Sequence, residues 1–168
     1  MPHLADLNHA PAQELRPRLL ALTAAPQWAD ALVSARPYAD LDSLLDASDE
    51  LVVSLDESQV DAALAGHPRI GESGEGLDRE PAARSAAEQS GMATADTATL
   101  DAMARGNAAY EKKFGRIYLV AAAGLSADEL LALLRKRLQH DPEHELDVVR
   151  SELARITRLR LQSSWGDR

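Results

Sequence analysis

The sequence predicts an all-α protein. Alanine and leucine dominate, aromatic residues make up only 4% of 168 residues, and apolar residues recur at steps of three and four without any stretch of strict alternation. A single compact domain spanning 1–168 with about eight helices is expected, long enough to bury about two-thirds of its unfolded surface without a metal or disulfide staple.

A first helix fits "PAQELRPRLLALT" after the polar "LNHA". A second fits "PQWADALVSA", where Pro26 belongs in the first turn because its missing N–H has no helical partner there anyway, and "RPY" ends it. A third covers Leu41 to Val53, and a fourth runs from Asp56 to Ala65, with Ser54 and Glu57 spaced as a capping box and Gly66 as a stop. From Gly66 to about Asp78, glycines and prolines predict a long loop. Within it, "GESGEG" lacks a following Lys-Ser or Lys-Thr and a preceding strand, which argues against a phosphate loop and leaves it a candidate for a flexible lid; whether loop 66–78 closes over a substrate is left open by the sequence. Helix resumes near Arg79 or Pro81 and continues to Gly91. A longer helix then fits "ADTATLDAMARGNAAYEKKFG", with Leu100, Met103, Tyr110 and Phe114 in its apolar stripe. "RIYLVAAAG" leaves two alternatives, a buried extended segment or a helical turn. Ser126 and Glu129 form a capping box ahead of "ADELLALLRKRL", and the last helix, "DPEHELDVVRSELARITRLRLQ", opens with Asp141 as cap and Pro142 in its first turn.

Composition narrows the function. A net charge of -9 opposes a phosphate backbone, so nucleic acid is not expected as a partner. The absence of cysteine excludes disulfides, thiolate metal sites and a cysteine nucleophile, and fits a reducing cytoplasm. No apolar run reaches the length of about 20 residues that a membrane span needs, and "MPHLADLNHA" lacks the layout of a signal peptide, so neither a membrane partner nor secretion is expected.

Three places carry potential chemistry. His67 precedes Pro68, which pushes it out of the α region and fixes the direction in which an imidazole leaves the helix end. Such a group exchanges protons near neutral pH; the plainer alternative is a helix-ending histidine bonded to a loose carbonyl. In "SAAEQ", Ser85, Glu88 and Gln89 share one helical face among alanines, an arrangement equally explained by a capping box or an exposed polar surface. Along the last helix, Leu146, Val149, Leu153 and Ile156 form a stripe whose next place is taken by Arg160. A guanidinium there matches a ligand carboxylate or ureido group, unless the helix has frayed by then or Arg160 snorkels while Leu159 and Leu161 pack. "HDPEH" puts His140 and His144 four apart, but Pro142 leaves His140 outside the helix, so the two rings need not share a face and no metal site is expected. "RKRLQH" reads as a helix C-terminus whose cations complement the dipole.

Together, "WADAL" with "ARPYADLDSLL", "HPRIGE", "SAAEQSGM", "NAAYEKKFG" and "ARITRLRL" make the chain resemble, in order and over nearly its full length, the 2-oxo-4-hydroxy-4-carboxy-5-ureidoimidazoline (OHCU) decarboxylases of urate degradation. The resemblance implies an all-helical, homodimeric enzyme with no metal or organic cofactor, acting on a small-molecule substrate to give (S)-allantoin. It also implies His67 and Glu88 as the catalytic pair, Ser85, Gln89 and Arg160 as substrate contacts, and Pro68 lining the pocket. After "KFG" the family usually shows an aromatic, often proline, then another aromatic, where Arg116, Ile117 and Tyr118 stand here. Tyr118 is expected to keep the pocket wall, whereas Arg116 puts the pocket's shape in question. Two other functions compete: a decarboxylase or lyase for a related ureido heterocycle, and a non-catalytic helical module that binds a protein through loop 66–78.

Overall fold

The computed structural model describes residues 3–71 and 87–166. Among the described residues run eight complete α-helices and one 3-10 turn, with no strand, as the all-α expectation requires. The helices are α1 (Leu4–His9), α2 (Ala12–Leu20), α3 (Pro26–Ser34), α4 (Leu41–Val53), α5 (Glu57–Leu64), α6 (Thr97–Phe114), α7 (Ala127–Arg137) and α8 (Pro142–Trp165). The chain groups into two compact units: the stretch up to Ala65 with the stretch from Arg150 onward, and Gly66–Val149.

In the first unit α2 packs on α3 and α3 on α4. Trp28, fully buried on α3, donates its indole N–H to the Ser48 hydroxyl on α4 at 2.9 Å, satisfying the one polar atom that its burial would otherwise strand. The short α1 was not expected from the sequence, because six residues carry too little periodicity. It is held from outside itself. The Asn8 side chain pairs with both backbone polar groups of Tyr38, and Arg36 donates to the carbonyls of Leu7, Ala10 and Val33 near the ends of α1 and α3. The capping box at α5 also differs from expectation. Asp56 accepts the Gln59 N–H at 2.9 Å and Gln59 returns the bond at 3.0 Å, while Ser54 closes α4 through the Leu51 carbonyl. Both pairs have the right spacing, and α4 settles the choice by running to Val53 and using Ser54 as its own end.

In the second unit α6 and α7 pack together around a core that includes Ile70, Met92, Met103, Tyr110, Phe114, Tyr118 and Leu134. Asp96 caps α6 by accepting the Thr99 N–H at 2.7 Å, and Gly115 ends it at φ 73°, a left-handed turn that glycine adopts without strain. Leu100 departs from its expected place in the stripe, being 38% exposed. Of the two alternatives for "RIYLVAAAG", the buried, non-helical segment is found: Tyr118, Leu119, Val120 and Ala122 are buried without regular structure. Tyr118 is core rather than an open wall, its ring 5.5 Å from that of Tyr110 and its hydroxyl donating to the Leu130 carbonyl. The Ser126–Glu129 box at α7 and the Asp141 cap at α8 form as expected.

Candidate active site

The second unit positions the histidine motif. After α5, Ala65 and Gly66 lead into His67 and Pro68, both half-buried, and the backbone then runs through Arg69, Ile70 and Gly71 with no helical ladder to occupy its polar groups. Side chains occupy them instead. Gln89 donates from Nε2 to the Arg69 carbonyl at 3.3 Å and accepts the Gly71 N–H on Oε1 at 3.0 Å, while Asn107 of α6 donates from Nδ2 to the Ile70 carbonyl at 3.0 Å. The Ile70 side chain enters the core, 5% exposed, and Arg69 donates from Nε to Glu111 Oε1 at 2.6 Å. Gly71 turns at φ 88°, with the Met92 and Met103 side chains where a Cβ would point, and Gln89 and Asn107 together fix three consecutive residues just beyond Pro68.

Ala87 and Glu88 are helical and Gln89 follows in a turn, and both Glu88 and Gln89 are half-buried. The 3-10 turn Ser90–Met92 follows. Its Gly91 lies so close to the Leu125 carbonyl that an added Cβ would sit 1.9 Å from the oxygen, so only glycine fits. The structure thus brings the "EQSGM" end of one motif onto the "HPRIG" loop of another, through Gln89. Ser85 lies outside the described residues, as do the rest of the candidate lid beyond Gly71 and most of the helix expected up to Gly91.

Arg160 belongs to the first unit. It is 8% exposed and donates from Nη1 to the Leu22 carbonyl at 2.6 Å. The frayed-helix alternative is overturned, since α8 continues to Trp165; so is the packing of Leu159, which is 45% exposed while Leu161 is buried. Thr157, one turn earlier, shares a 2.7 Å hydrogen bond with Thr23 next to that Leu22 carbonyl.

The sequence reading missed two groups. Asn107 stands on the buried face of α6 between Met103 and Tyr110, a polar residue in an apolar stripe, which is the signal that singled out Arg160. The other is a buried cluster. Glu145, with no exposed surface, accepts from Tyr110 at 2.6 Å and from Arg137 Nε at 2.6 Å, and its second oxygen lies 2.8 Å from His140 Nδ1. Arg135, Lys136 and Arg137 do fall in the last turn of α7, as expected, but Arg137 is in addition buried: it is 4% exposed, between the Tyr110 and Tyr118 rings, and reaches the Leu119 carbonyl. Burial pushes the Tyr110 phenol well above its ordinary range. The His140 and His144 rings do meet, edge to face with centroids 4.3 Å apart, because Asp141 and Pro142 turn the chain within a single residue of the helix start. Among the described residues no group of three or more His, Asp or Glu side chains is placed to hold a metal ion.

A cleft of about 220 Å³ opens beside the histidine loop, lined by Arg69, Ile70 and Gly71 together with Leu100, Asn107 and Glu111 of α6. His67 and Glu88 are not among the described residues that line it.

Comparison with known proteins identifies the family. A family model described as OHCU decarboxylase matches residues 8–162. The "Uric acid degradation bifunctional protein TTL" of Arabidopsis thaliana is 34% identical over 108 residues, covering 63% of this chain, which in turn spans 33% of that longer protein. The 2-oxo-4-hydroxy-4-carboxy-5-ureidoimidazoline decarboxylase of Mus musculus is 31% identical over 144 residues, covering 84% of this chain and 80% of the mouse protein. A crystal structure of an OHCU decarboxylase in the presence of (S)-allantoin shares the fold with a TM-score of 0.75 at 24% identity, over 89% of this chain and 98% of that one. With the matched family model covering both units and all five sequence motifs, the chain belongs to the OHCU decarboxylase family.

Proposed function

We propose that this chain removes CO2 from 2-oxo-4-hydroxy-4-carboxy-5-ureidoimidazoline and delivers (S)-allantoin in urate degradation, without metal or organic cofactor. Family membership supports the reaction, and one observation supports the site: Gln89 joins the motif carrying Glu88 to the loop carrying His67. The chemistry needs no electron acceptor. The C–C bond to the carboxylate breaks, CO2 leaves, the electron pair moves toward the adjacent ring C=N, and a ring carbon then takes a proton on one face only.

In this reading His67 handles that proton, since Pro68 restricts the backbone that aims its ring, and Glu88 orients the imidazole or holds the substrate hydroxyl. Ser85, Gln89 and Arg160 hold the carboxylate, ureido and carbonyl groups, and Pro68 lines the pocket. Gln89 has capacity for this beside its loop contacts, because an amide offers two donors and two acceptor lone pairs and the loop takes one of each. Arg160 is held in place by the Leu22 carbonyl, to which its Nη1 donates. The enzyme is further proposed to be a single-domain homodimer of the cytoplasm; size-exclusion chromatography with light scattering reads its assembly.

The test is circular dichroism of allantoin formed from urate, with urate oxidase and hydroxyisourate hydrolase generating the labile substrate in the cuvette. Addition of this protein produces the (S)-allantoin signal faster than spontaneous decay, which gives the racemate. A folded protein that leaves the decay unaltered overturns the reading. His67→Ala lowers the rate by about 10²–10⁴-fold with the far-ultraviolet spectrum unchanged; full activity in that variant removes His67 from the mechanism.

A further inference from the structure

We infer that Asn107 is a positioning residue for His67, acting through the backbone of the histidine loop. The inference rests on the reading that His67 moves the proton. Asn107 lies on the buried face of α6 with Met103, Tyr110 and Phe114 and is 5% exposed. Its Oδ1 is buried with no hydrogen-bond partner, an arrangement that disfavours asparagine against an apolar residue of the same shape. What the side chain supplies in return is its donor, which holds the Ile70 carbonyl at 3.0 Å.

That carbonyl sits where the aim of His67 is decided. Pro68 fixes its own φ and confines His67 to extended conformations, so apart from its own side-chain rotamer the aim of the imidazole depends on the orientation of the peptide frame that follows. Residues 69–71 form that frame and have no ladder of their own. Gln89 binds its two ends, at the Arg69 carbonyl and the Gly71 N–H, and Asn107 binds its middle from α6, an 18-residue helix anchored in the core. Without Asn107 the frame keeps both ends tied and gains freedom to rock between them. One-sided protonation tolerates little of that, since a misplacement of about 1 Å in a reacting group costs on the order of 10²-fold in rate.

The test uses Asn107→Leu, which removes both the donor and the orphan oxygen, and Asn107→Ala, which removes them without adding a branched side chain. Asn107→Ala carries the test if the leucine variant does not fold. Hydrogen exchange reads the loop directly: across residues 69–71 it becomes about tenfold faster than in the unsubstituted protein, with α6 itself unchanged. In the coupled urate assay kcat falls about 10–100-fold with KM within twofold, and the enantiomeric excess of allantoin drops even with enough enzyme to make spontaneous decay negligible. Unchanged exchange at 69–71 overturns the clamp. Faster exchange with full kcat and full enantiomeric excess overturns the positioning role. If the unsubstituted protein does not accelerate the decay at all, the proposed reaction fails instead, and the exchange measurement still decides whether Asn107 holds the loop.

Discussion

Glu145 carries a carboxylate into the core of the second unit because donors from several directions meet it: the Tyr110 hydroxyl, the Arg137 guanidinium and the His140 ring. Burial alone would make Arg137 easier to deprotonate, and the hydrogen bond to Glu145 with the surrounding charges outweighs it, so its cation is held more firmly than usual. Such a pair is costly to break and cheap to replace whole. Glu145→Leu leaves the buried guanidinium without its counter-charge and lowers the urea unfolding free energy by about 3–5 kcal/mol, whereas Glu145→Leu with Arg137→Met costs much less than the sum of the two single changes. Strict additivity would show that the two groups are independent. At Gly91, an alanine methyl would collide with the Leu125 carbonyl, and the backbone shift this forces costs about 1–3 kcal/mol or more; a melting temperature equal to that of the unsubstituted protein would contradict the close approach. These residues were unequally legible. A break in an apolar stripe exposes Arg160, and the same break marks Asn107 in the sequence. Gly91 leaves no such mark, because its constraint comes from a carbonyl 34 residues away in sequence.

Helix termini were the most legible elements, since caps are local chemistry. Leu41–Val53 begins and ends where periodicity puts it, and the boxes at Ser126 and the cap at Asp141 are formed. Where two local patterns overlapped, as at Ser54 and Asp56, only the length of the preceding helix decided between them. The segment 116–122 was ambiguous for a deeper reason: its conformation is dictated by the Arg137 contact to the Leu119 carbonyl and by burial, neither of which leaves a period. The caps also set a pH dependence. The carboxylates of Asp56, Asp96, Glu129 and Asp141 are held below their ordinary range, first of all by backbone N–H groups of Gln59, Thr99, Ser126 and His144 respectively. A depressed folded pKa means stability that is complete above the unfolded values, near 4, and is lost as pH falls through the lower folded ones. The melting temperature therefore declines steeply below about pH 4. Asp96→Asn keeps a neutral cap acceptor and flattens part of that decline; an unaltered acid limb in Asp96→Asn would show that the cap charge contributes nothing.

Across the whole molecule, 27 acidic residues against 18 basic ones leave an excess of nine negative charges at neutral pH, and this imbalance opposes compaction in a way no single contact reveals. Ion pairs on the surface offset little of it. Arg16–Asp30 is open to solvent and Arg158 with Asp46 and Asp49 is half-buried; an exposed pair of the first kind contributes about 0–1 kcal/mol. Added salt weakens those few attractions and the more numerous repulsions together, since both act through water and the Debye length falls to about 8 Å at 0.15 M. With repulsions in the majority, the balance favours the folded state. The melting temperature at pH 7 is accordingly expected to rise by a few degrees between low ionic strength and about 0.3 M sodium chloride, a salt chosen because sulfate would also strengthen apolar burial. The same excess fades as pH approaches the isoelectric point near 5.0, so the salt effect should shrink there while the cap carboxylates remain ionised. Thermal melts on a grid of pH and chloride separate the two contributions. A melting temperature that falls with chloride at pH 7 would mean that specific ion pairs, rather than net charge, dominate the electrostatics of this fold.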